Sequence, residues 1–279
     1  MKLEKVEKYK KFEFVLLIPV FHNEDKIEQL KLEIQKYLVN ESYFICFVDD
    51  SSNEETHIQI KKSFDSNFFV LRRKKVENFS TRYSASLEKV STVVNARPGE
   101  IIFGLNLVVN RGKTVLIADT AVNEWPNSEQ LANIAISSSR IAKLFGMDPK
   151  VAFLSHSTFG QPTTERTLKV KEAVEILDKK NVDFKYDGEM QPDVALEEIF
   201  KELYPFSEIV GNANILIMPG QHSAAISYKM MKTLGDTKVI GPLLIGLGLP
   251  IEIAPLRSST SEILNLASIA AYSSQVIDY

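Results

Sequence analysis

Residues 114–160 leave this chain few folds to choose from: TVLIADTAVNEWPNSEQLANIAISSSRIAKLFGMDPKVAFLSHSTFG. Val115, Leu116, Ile117 and Ala118 form a short apolar run, as in a strand covered on both faces, closed by polar Asp119 and Thr120. Pro126 and Asn127 open a helix, and Gln130 stands three residues after Asn127, the capping-box spacing. Leu131, Ile134, Ala135, Ser138, Ile141, Ala142 and Phe145 recur at helical spacing as one buried stripe. Gly146 stops that helix, with Pro149 just beyond it, and residues 151–154 are a second buried strand. Strand, helix and strand in this order predict a βαβ unit with parallel strands.

The alternation continues on both sides. Upstream, residues 12–20 read as a strand, Ile27, Leu30, Ile34 and Leu38 as a helical stripe, and YFICFV as a second strand closed by Asp49, Asp50, Ser51 and Ser52. NEETHIQIKKSF is a short helix and NFFVL a third strand, so residues 12–71 predict a small βαβαβ, Rossmann-like half-sheet. The charged run 72–75 is either a solvated face or a phosphate contact. A helix over residues 83–94 precedes the turn Arg97-Pro98-Gly99. IIFGLNLVV is then a strand and Asn110-Arg111-Gly112 a turn. Downstream come a helix carrying Leu168, Ala173, Val174 and Leu177, the strand and loop VDFKYDGEM, and a short helix opened by Pro192. The strand ANILIMPG, a helix over residues 224–234 ended by Gly235, the apolar run VIGPLLIGL and the closing helix SSTSEILNLASIAAY complete the chain. The expected fold class is α/β: a mostly parallel sheet with helices on both faces, preceded by the half-sheet.

Composition removes several function classes. A net charge of −3 over 279 residues gives no reason to expect nucleic acid or an anionic membrane as partner. The single cysteine, Cys46, excludes an intramolecular disulfide and a cysteine-based zinc cluster, and in YFICFV it reads as a small core residue. No apolar stretch reaches membrane-spanning length, and MKLEKVEKYKKFEF is charged throughout, so a cytoplasmic location is expected.

In parallel sheets ligands lie at the carboxyl ends of the strands, here residues 119–123, 155–160, 187–193 and 219–223. Ser155, Ser157, Thr158 and Gly160 supply hydroxyl and backbone donors that either hold a phosphate or thioester oxygen or satisfy their own turn. Asp187, Glu189 and Asp193, with His156 and His222, are ligand types that suit a metal, but no HExxH, Asp-x-Asp or EF-hand spacing accompanies them. No metal is therefore expected. A Ser–His hydrolase lacks its G-x-S-x-G elbow, and adjacent Ser155 and His156 point apart on an extended chain. His156 reads as a loop histidine bonded to the backbone. Neither GxGxxG nor a P-loop occurs.

From about residue 81 to residue 274 the sequence resembles the phosphate acetyl/butyryltransferase family. The matching strings are LIADTAVNEWPNSEQLANIAI, MDPKVAFLSHSTFG, KVKEAVEIL, DGEMQPDVAL, GNANILIMP, IGPLLIGL and EILNLASIAAY, in the family's order and spacing. Within that family YSASLEKVSTVVNARPGE, LSHSTFGQP, VDFKYDGEM and YPFSEIVGNANILIMPGQHSAAISYKM make it similar to the C-terminal domain of large bacterial NADP-dependent malic enzymes. The resemblance implies a phosphotransacetylase-like fold, an acyl-CoA partner with acetyl-CoA as the ligand, and no covalently bound cofactor. It adds Arg257 and Glu262 to the strand-end residues, so that the acyl-CoA/phosphate-binding set is Ser155, Ser157, Thr158, Gly160, Asp187, Glu189, Asp193, Arg257 and Glu262.

The departures are specific. Phosphotransacetylases carry a Ser-Arg pair and an Asp near the C-terminus that serve CoA binding and thiol deprotonation. The matched positions here are Pro255, Leu256 and Glu262, and Arg257 lies one place away. Losing one preorganised donor of this kind costs about 100-fold or more in rate. The resemblance therefore implies an acetyl-CoA-binding regulatory domain of malic enzyme type without turnover. The alternative is an active phosphate acyltransferase, in which Glu262 would be catalytic.

Residues 12–78 resemble instead the start of a family 2 glycosyltransferase, on LLIPVFHNED and FVDDSSNEET. That resemblance implies a nucleotide held by Asp49 or Asp50, with Pro19 and Asn23 shaping the loop. The family's metal-binding Asp-x-Asp is absent from the chain, so glycosyl transfer is not expected. The expected domains are residues 1–80 and 81–279, two incomplete halves joined near residue 80.

The closing helix is apolar around most of its circumference, at Ile263, Leu264, Leu266, Ala267, Ile269, Ala270, Ala271 and Tyr272. Burial on two sides follows. A homodimer with a two-fold axis at this helix is expected, in line with the family; cover by the N-terminal half-sheet is the alternative.

Overall fold

The computed structural model describes residues 14–20, 24–38, 42–49, 51, 53–72, 86–87, 90–91, 94–254 and 258–276. The elements, in chain order, are β1 (Phe14–Val20), α1 (Ile27–Tyr37), β2 (Tyr43–Asp49), α2 (Glu55–Ser63), β3 (Phe68–Arg72), β4 (Phe103–Asn110), β5 (Lys113–Ala118), α3 (Ser128–Leu144), β6 (Lys150–Leu154), α4 (Glu165–Lys180), β7 (Lys185–Met190), α5 (Pro192–Leu196), a 3-10 turn (Glu198–Lys201), β8 (Ile215–Ile217), α6 (Gln221–Leu234), β9 (Lys238–Ile245), β10 (Ile251–Ile253) and α7 (Thr260–Val276). They fall into two compact units, Met1–Arg97 with Leu247–Tyr279, and Pro98–Gly246.

In the first unit a four-stranded sheet runs in the order β10-β1-β2-β3, and each neighbouring pair is parallel. The βαβαβ pattern expected over residues 12–71 forms here, with Ile27, Leu30, Ile34 and Leu38 all buried. Each fully buried aliphatic side chain stabilises by about 1.5–3 kcal/mol over an exposed one. The strand β10 had no counterpart among the expected elements. Three residues, Ile251, Glu252 and Ile253, pair with Val15, Leu16 and Leu17, too short a run to show a period. Through that pairing the tail joins the N-terminal sheet, and α7 packs on α1, β1 and β10. The partition by contacts thus differs from the division expected at residue 80, which put the tail with the second domain. Ile263, Leu266, Ala267, Ala270 and Ala271 are buried, Leu264 and Ile269 half-buried, and Tyr272 exposed. Of the helix expected over residues 83–94, residues 86–87 and 90–91 are helical, Val94 lies in a bend, and the rest is outside the described residues.

The second unit is a six-stranded mixed sheet ordered β7-β6-β8-β5-β4-β9. Four neighbours, β7, β6, β8 and β5, are mutually parallel, while β4 is antiparallel to both β5 and β9. The expected turn at Asn110-Arg111-Gly112 is a two-residue hairpin loop. Arg111 and Gly112 both take positive φ (48° and 78°), and Asn110 pairs with Lys113. Leu116 and Ile117 are consecutive, so they point to opposite faces, and both are buried: β5 is covered on both sides. Ile117 shares a core cluster with Val194 and Ala224, contributed by α5 and α6. The predicted βαβ unit is present, but β8 lies between its two strands. Its helix α3 begins with the full capping box: the Asn127 side chain accepts from the Gln130 N–H at 2.8 Å, and Gln130 Oε1 accepts from the Asn127 N–H at 2.9 Å. Among the described residues no helix is long and apolar enough to cross a membrane.

Candidate functional site

Because β7, β6, β8 and β5 are parallel neighbours, their carboxyl ends share one edge of the second unit. The segments that follow them begin at Gln191, Ser155, Met218 and Asp119. Asp187 and Glu189, expected in a loop, belong to β7 itself, which continues to Met190.

Asp119 organises the first of these segments. Its carboxylate is fully buried. Oδ1 accepts from the backbone N–H groups of Gly104 (2.8 Å), Ala121 (2.8 Å) and Val122 (3.1 Å). Oδ2 accepts from the Asn123 N–H (2.5 Å) and from Asn123 Nδ2 (2.7 Å), and Nδ2 also donates to the Ile102 carbonyl. With five donors on its two oxygens, this carboxylate folds the loop. Beside it, Thr120 Oγ1 donates to Asn106 Oδ1 at 3.2 Å.

Glu189 does the same for the segment after β6. The register of β6 against β7 shifts between Phe153 and Leu154, so Phe153 faces Gly188 and Leu154 faces Met190, leaving Glu189 unpaired in the ladder. Gly188 is required there, because a Cβ would stand 2.7 Å from the Phe153 carbonyl oxygen. The buried Glu189 carboxylate accepts from Ser157 Oγ at 3.1 Å and from the Gly160 N–H at 2.6 Å. Thr158 exchanges backbone bonds with Gln161, and its Oγ1 accepts from the Gln191 N–H. Ser155, Ser157, Thr158, Gly160 and Glu189 are therefore brought together, in the bonding pattern of a turn that satisfies itself. An incoming oxygen would have to take Ser157 or Gly160 from Glu189, whereas half-buried Ser155 only approaches Ser157, at 3.4 Å between hydroxyl oxygens.

The other expected residues are more dispersed. Asp187 accepts from the Gly188 N–H, and exposed Asp193 accepts from the Val194 N–H in the first turn of α5. His156 is exposed and makes no backbone hydrogen bond among the described residues, so the expected tether is not found. His222 Nε2 lies 3.3 Å from Glu124 Oε1. Among the described residues no three histidine, cysteine or acidic side chains converge as metal ligands do.

Three residues outside the expected set stand on the same edge. The Trp125 ring is 62 % exposed, with the Arg166 guanidinium carbon 5.2 Å and Lys169 Nζ 6.0 Å from its centroid. Lys169 Nζ also donates to the Pro219 carbonyl at 3.2 Å. Burial, then the neighbouring Arg166 charge, lowers the Lys169 pKa. Basic residues three apart in the first two turns of a helix were the available signal; a motif search passes over them.

In the first unit, Pro19 pairs with Val48 inside β1, and the buried Asp49 ends β2 and accepts from the Ser51 N–H at 2.9 Å. Glu262 has a helix-capping role: its Oε2 accepts from the Ser259 N–H (2.7 Å) and Oγ (3.1 Å), and its own N–H donates back to Ser259 Oγ. Asn23, Asp50 and Arg257, with Pro255 and Leu256, lie outside the described residues.

The family profile described as phosphate acetyl/butaryl transferase matches residues 76–271. An NADP-dependent malic enzyme of Rhizobium meliloti is 49% identical over 197 residues, which is 71% of this chain and 26% of that protein. The phosphate acetyltransferase of Bacillus subtilis is 36% identical over 169 residues, 60% of this chain and 52% of that enzyme. The chain thus spans about a quarter of the length of the malic enzymes it matches. Among solved structures, a phosphotransacetylase from Streptococcus pyogenes superposes with a TM-score of 0.69 at 23% identity, covering 99% of both chains. The EutD phosphotransacetylase from Staphylococcus aureus gives 0.67 at 22%, covering 97% of both. These likenesses run straight across residue 80, so the first strands are part of that same fold. The glycosyltransferase reading of residues 12–78 finds no support among these relatives. Parallel βαβ repeats look alike at this length, and a short Val-Asp-Asp run does not separate them.

Proposed function

We propose, from the premise that this chain belongs to the phosphate acetyl/butaryl transferase family, that it is an acetyl-CoA-binding, phosphotransacetylase-like domain of malic enzyme type that senses its ligand without turning it over. The observation that carries this reading is a contrast. The strand-end edge of the second unit is fully built, while Pro255 and Leu256 stand where the resemblance expects a Ser-Arg pair. A pyrrolidine and an aliphatic chain supply no donor to a developing negative charge, so binding outlasts catalysis. Ser155, Asp187 and Asp193 are the expected residues best placed to meet a ligand from solvent; Ser157, Thr158, Gly160 and Glu189 hold the loop that presents them. Arg257 and Glu262 remain candidates through the resemblance.

Calorimetry of the intact chain with acetyl-CoA tests the reading. Saturable heat, with no CoA released when phosphate is added, is the expected result. Absence of heat and of any thermal shift at millimolar ligand overturns it. The likeness to phosphate acetyltransferases favours a second reading, an active phosphate acyltransferase. Phosphate-dependent CoA release that Glu262→Gln abolishes would establish it.

A further inference from the structure

At the strand-end edge of the second unit two cations sit where helix electrostatics oppose them. Arg166 and Lys169 occupy the first two turns of α4, three residues apart, facing the same exposed indole. The amino end of a helix carries partial positive charge and favours anions. Lys169 Nζ lies at the start of a second helix as well, bonded to Pro219, next to the Gly220 that precedes α6. No side chain caps α6 there. Among the described residues neither Arg166 nor Lys169 pairs with a carboxylate; Glu124 Oε1 lies 3.3 Å from His222 Nε2. The Lys169 ammonium has three donors and one acceptor among the described residues, and burial, then the neighbouring Arg166 charge, lowers its pKa.

The corner is also rigidly assembled. Gln221 donates its N–H to the Asn123 carbonyl at 3.2 Å. A Cβ on Gly220 would stand 2.6 Å from the Glu124 carbonyl oxygen, so only glycine lets the Trp125 loop lie against the start of α6. Concentrated positive charge, open donors and an exposed flat ring are what a phosphorylated ligand requires.

We propose that Trp125, Arg166 and Lys169 form a subsite for the phosphate groups of a phosphomonoester or diphosphate ligand. CoA carries both groups, so this rests on the acetyl-CoA reading for the ligand's identity, though not for its chemistry. Free phosphate is the other source.

Trp125 is the only tryptophan of the chain, so indole emission reports on this corner alone. The intact chain is titrated with inorganic phosphate, inorganic pyrophosphate, adenosine 3′,5′-bisphosphate, acetyl-CoA and acetyl-pantetheine, the last a thioester without the diphosphate and 3′-phosphate of CoA. A saturable emission change with the phosphorylated compounds and none with acetyl-pantetheine is expected. Saturation by inorganic phosphate alone assigns the site to free phosphate; a requirement for the nucleotide assigns it to CoA. Arg166→Gln and Lys169→Gln should each weaken the response about tenfold, the effect of one charge-assisted contact. Arg166 is exposed, so its variant should stay folded even if loss of the Pro219 contact loosens Lys169→Gln. If acetyl-CoA gives heat but leaves Trp125 emission and both variants unaffected, the subsite is overturned and the acetyl-CoA reading stands. If pyrophosphate binds and the variants lose it while acetyl-CoA gives no heat, the subsite stands and that reading fails. Silence toward every phosphorylated compound overturns the subsite.

Discussion

Glu189 and Cys46 show how burial decides what a reactive side chain does. The Glu189 carboxylate is placed by the shifted register at its strand and held by two donors. Glu189→Ala leaves the Ser157 hydroxyl and the Gly160 N–H without their acceptor and should cost about 1–3 kcal/mol in urea unfolding. Glu189→Gln keeps an acceptor oxygen and should lose clearly less. Cys46 lies in the first sheet, and burial pushes its thiol up from 9.0 to about 12. Near pH 8 it should alkylate about three orders of magnitude more slowly than an ordinary thiol, because only the thiolate reacts. A folded pKa above the unfolded one favours the folded state below pH 9, and this contribution is lost as pH rises from 9 toward 12. A fast reaction with iodoacetamide in the folded chain would contradict this.

Two of the helices illustrate how far a local signature carries. The Asn-x-x-Gln spacing at the start of α3 is legible in the sequence itself, and both of its reciprocal bonds form. Asn127→Ala should lower stability by about 1 kcal/mol, and Asn127→Ser should recover most of it; equal midpoints in urea for all three proteins would refute the assignment. At α7 a similar signature, Ser-x-x-Glu, stands in plain view at residues 259–262, yet the resemblance drew Glu262 toward catalysis. Its bonds with Ser259 are those of a cap. Ser259→Ala should therefore reduce stability by about 1 kcal/mol, read by chemical unfolding, whatever it does to ligand binding.

The path of the whole chain has consequences for its fragments. Residues 98–246 contain an entire six-stranded sheet and its core, so they should fold alone and unfold cooperatively. Residues 79–279 keep β10 but lose its partner β1, which exposes the pairing edge and the face of α7 that packs there. Circular dichroism and hydrogen exchange should show Ile251–Ile253 and Thr260–Val276 unprotected in that fragment and protected in the intact chain. The homodimer expected at α7 is a proposal for the intact protein. Much of the helix is covered by the N-terminal sheet, the alternative named for it, and half-buried Leu264 and Ile269 with exposed Tyr272 are left for a partner. Leu264→Lys should convert a sedimenting dimer to monomer; an unchanged sedimentation coefficient of a dimer would rule out this interface.

Local order is written in the sequence because its causes are local. Apolar runs of four to eight residues, one helical stripe, an Asx cap and a Gly-containing hairpin turn each act within a few residues, and all form at the expected positions. The edge at which the strand-end loops gather follows from the same alternation, since parallel strands joined by helices must end together. Tertiary structure decided the rest. A three-residue strand becomes a strand only when β1 offers it a partner, and β8 enters between β5 and β6 through contacts some sixty residues apart or more. Whether Glu189 meets a ligand or its own loop depended on a one-residue register shift that no periodicity records. Trp125, Arg166 and Lys169 became neighbours because two loops and the start of α4 converge at one corner, while in sequence the tryptophan stands some forty residues from the cations.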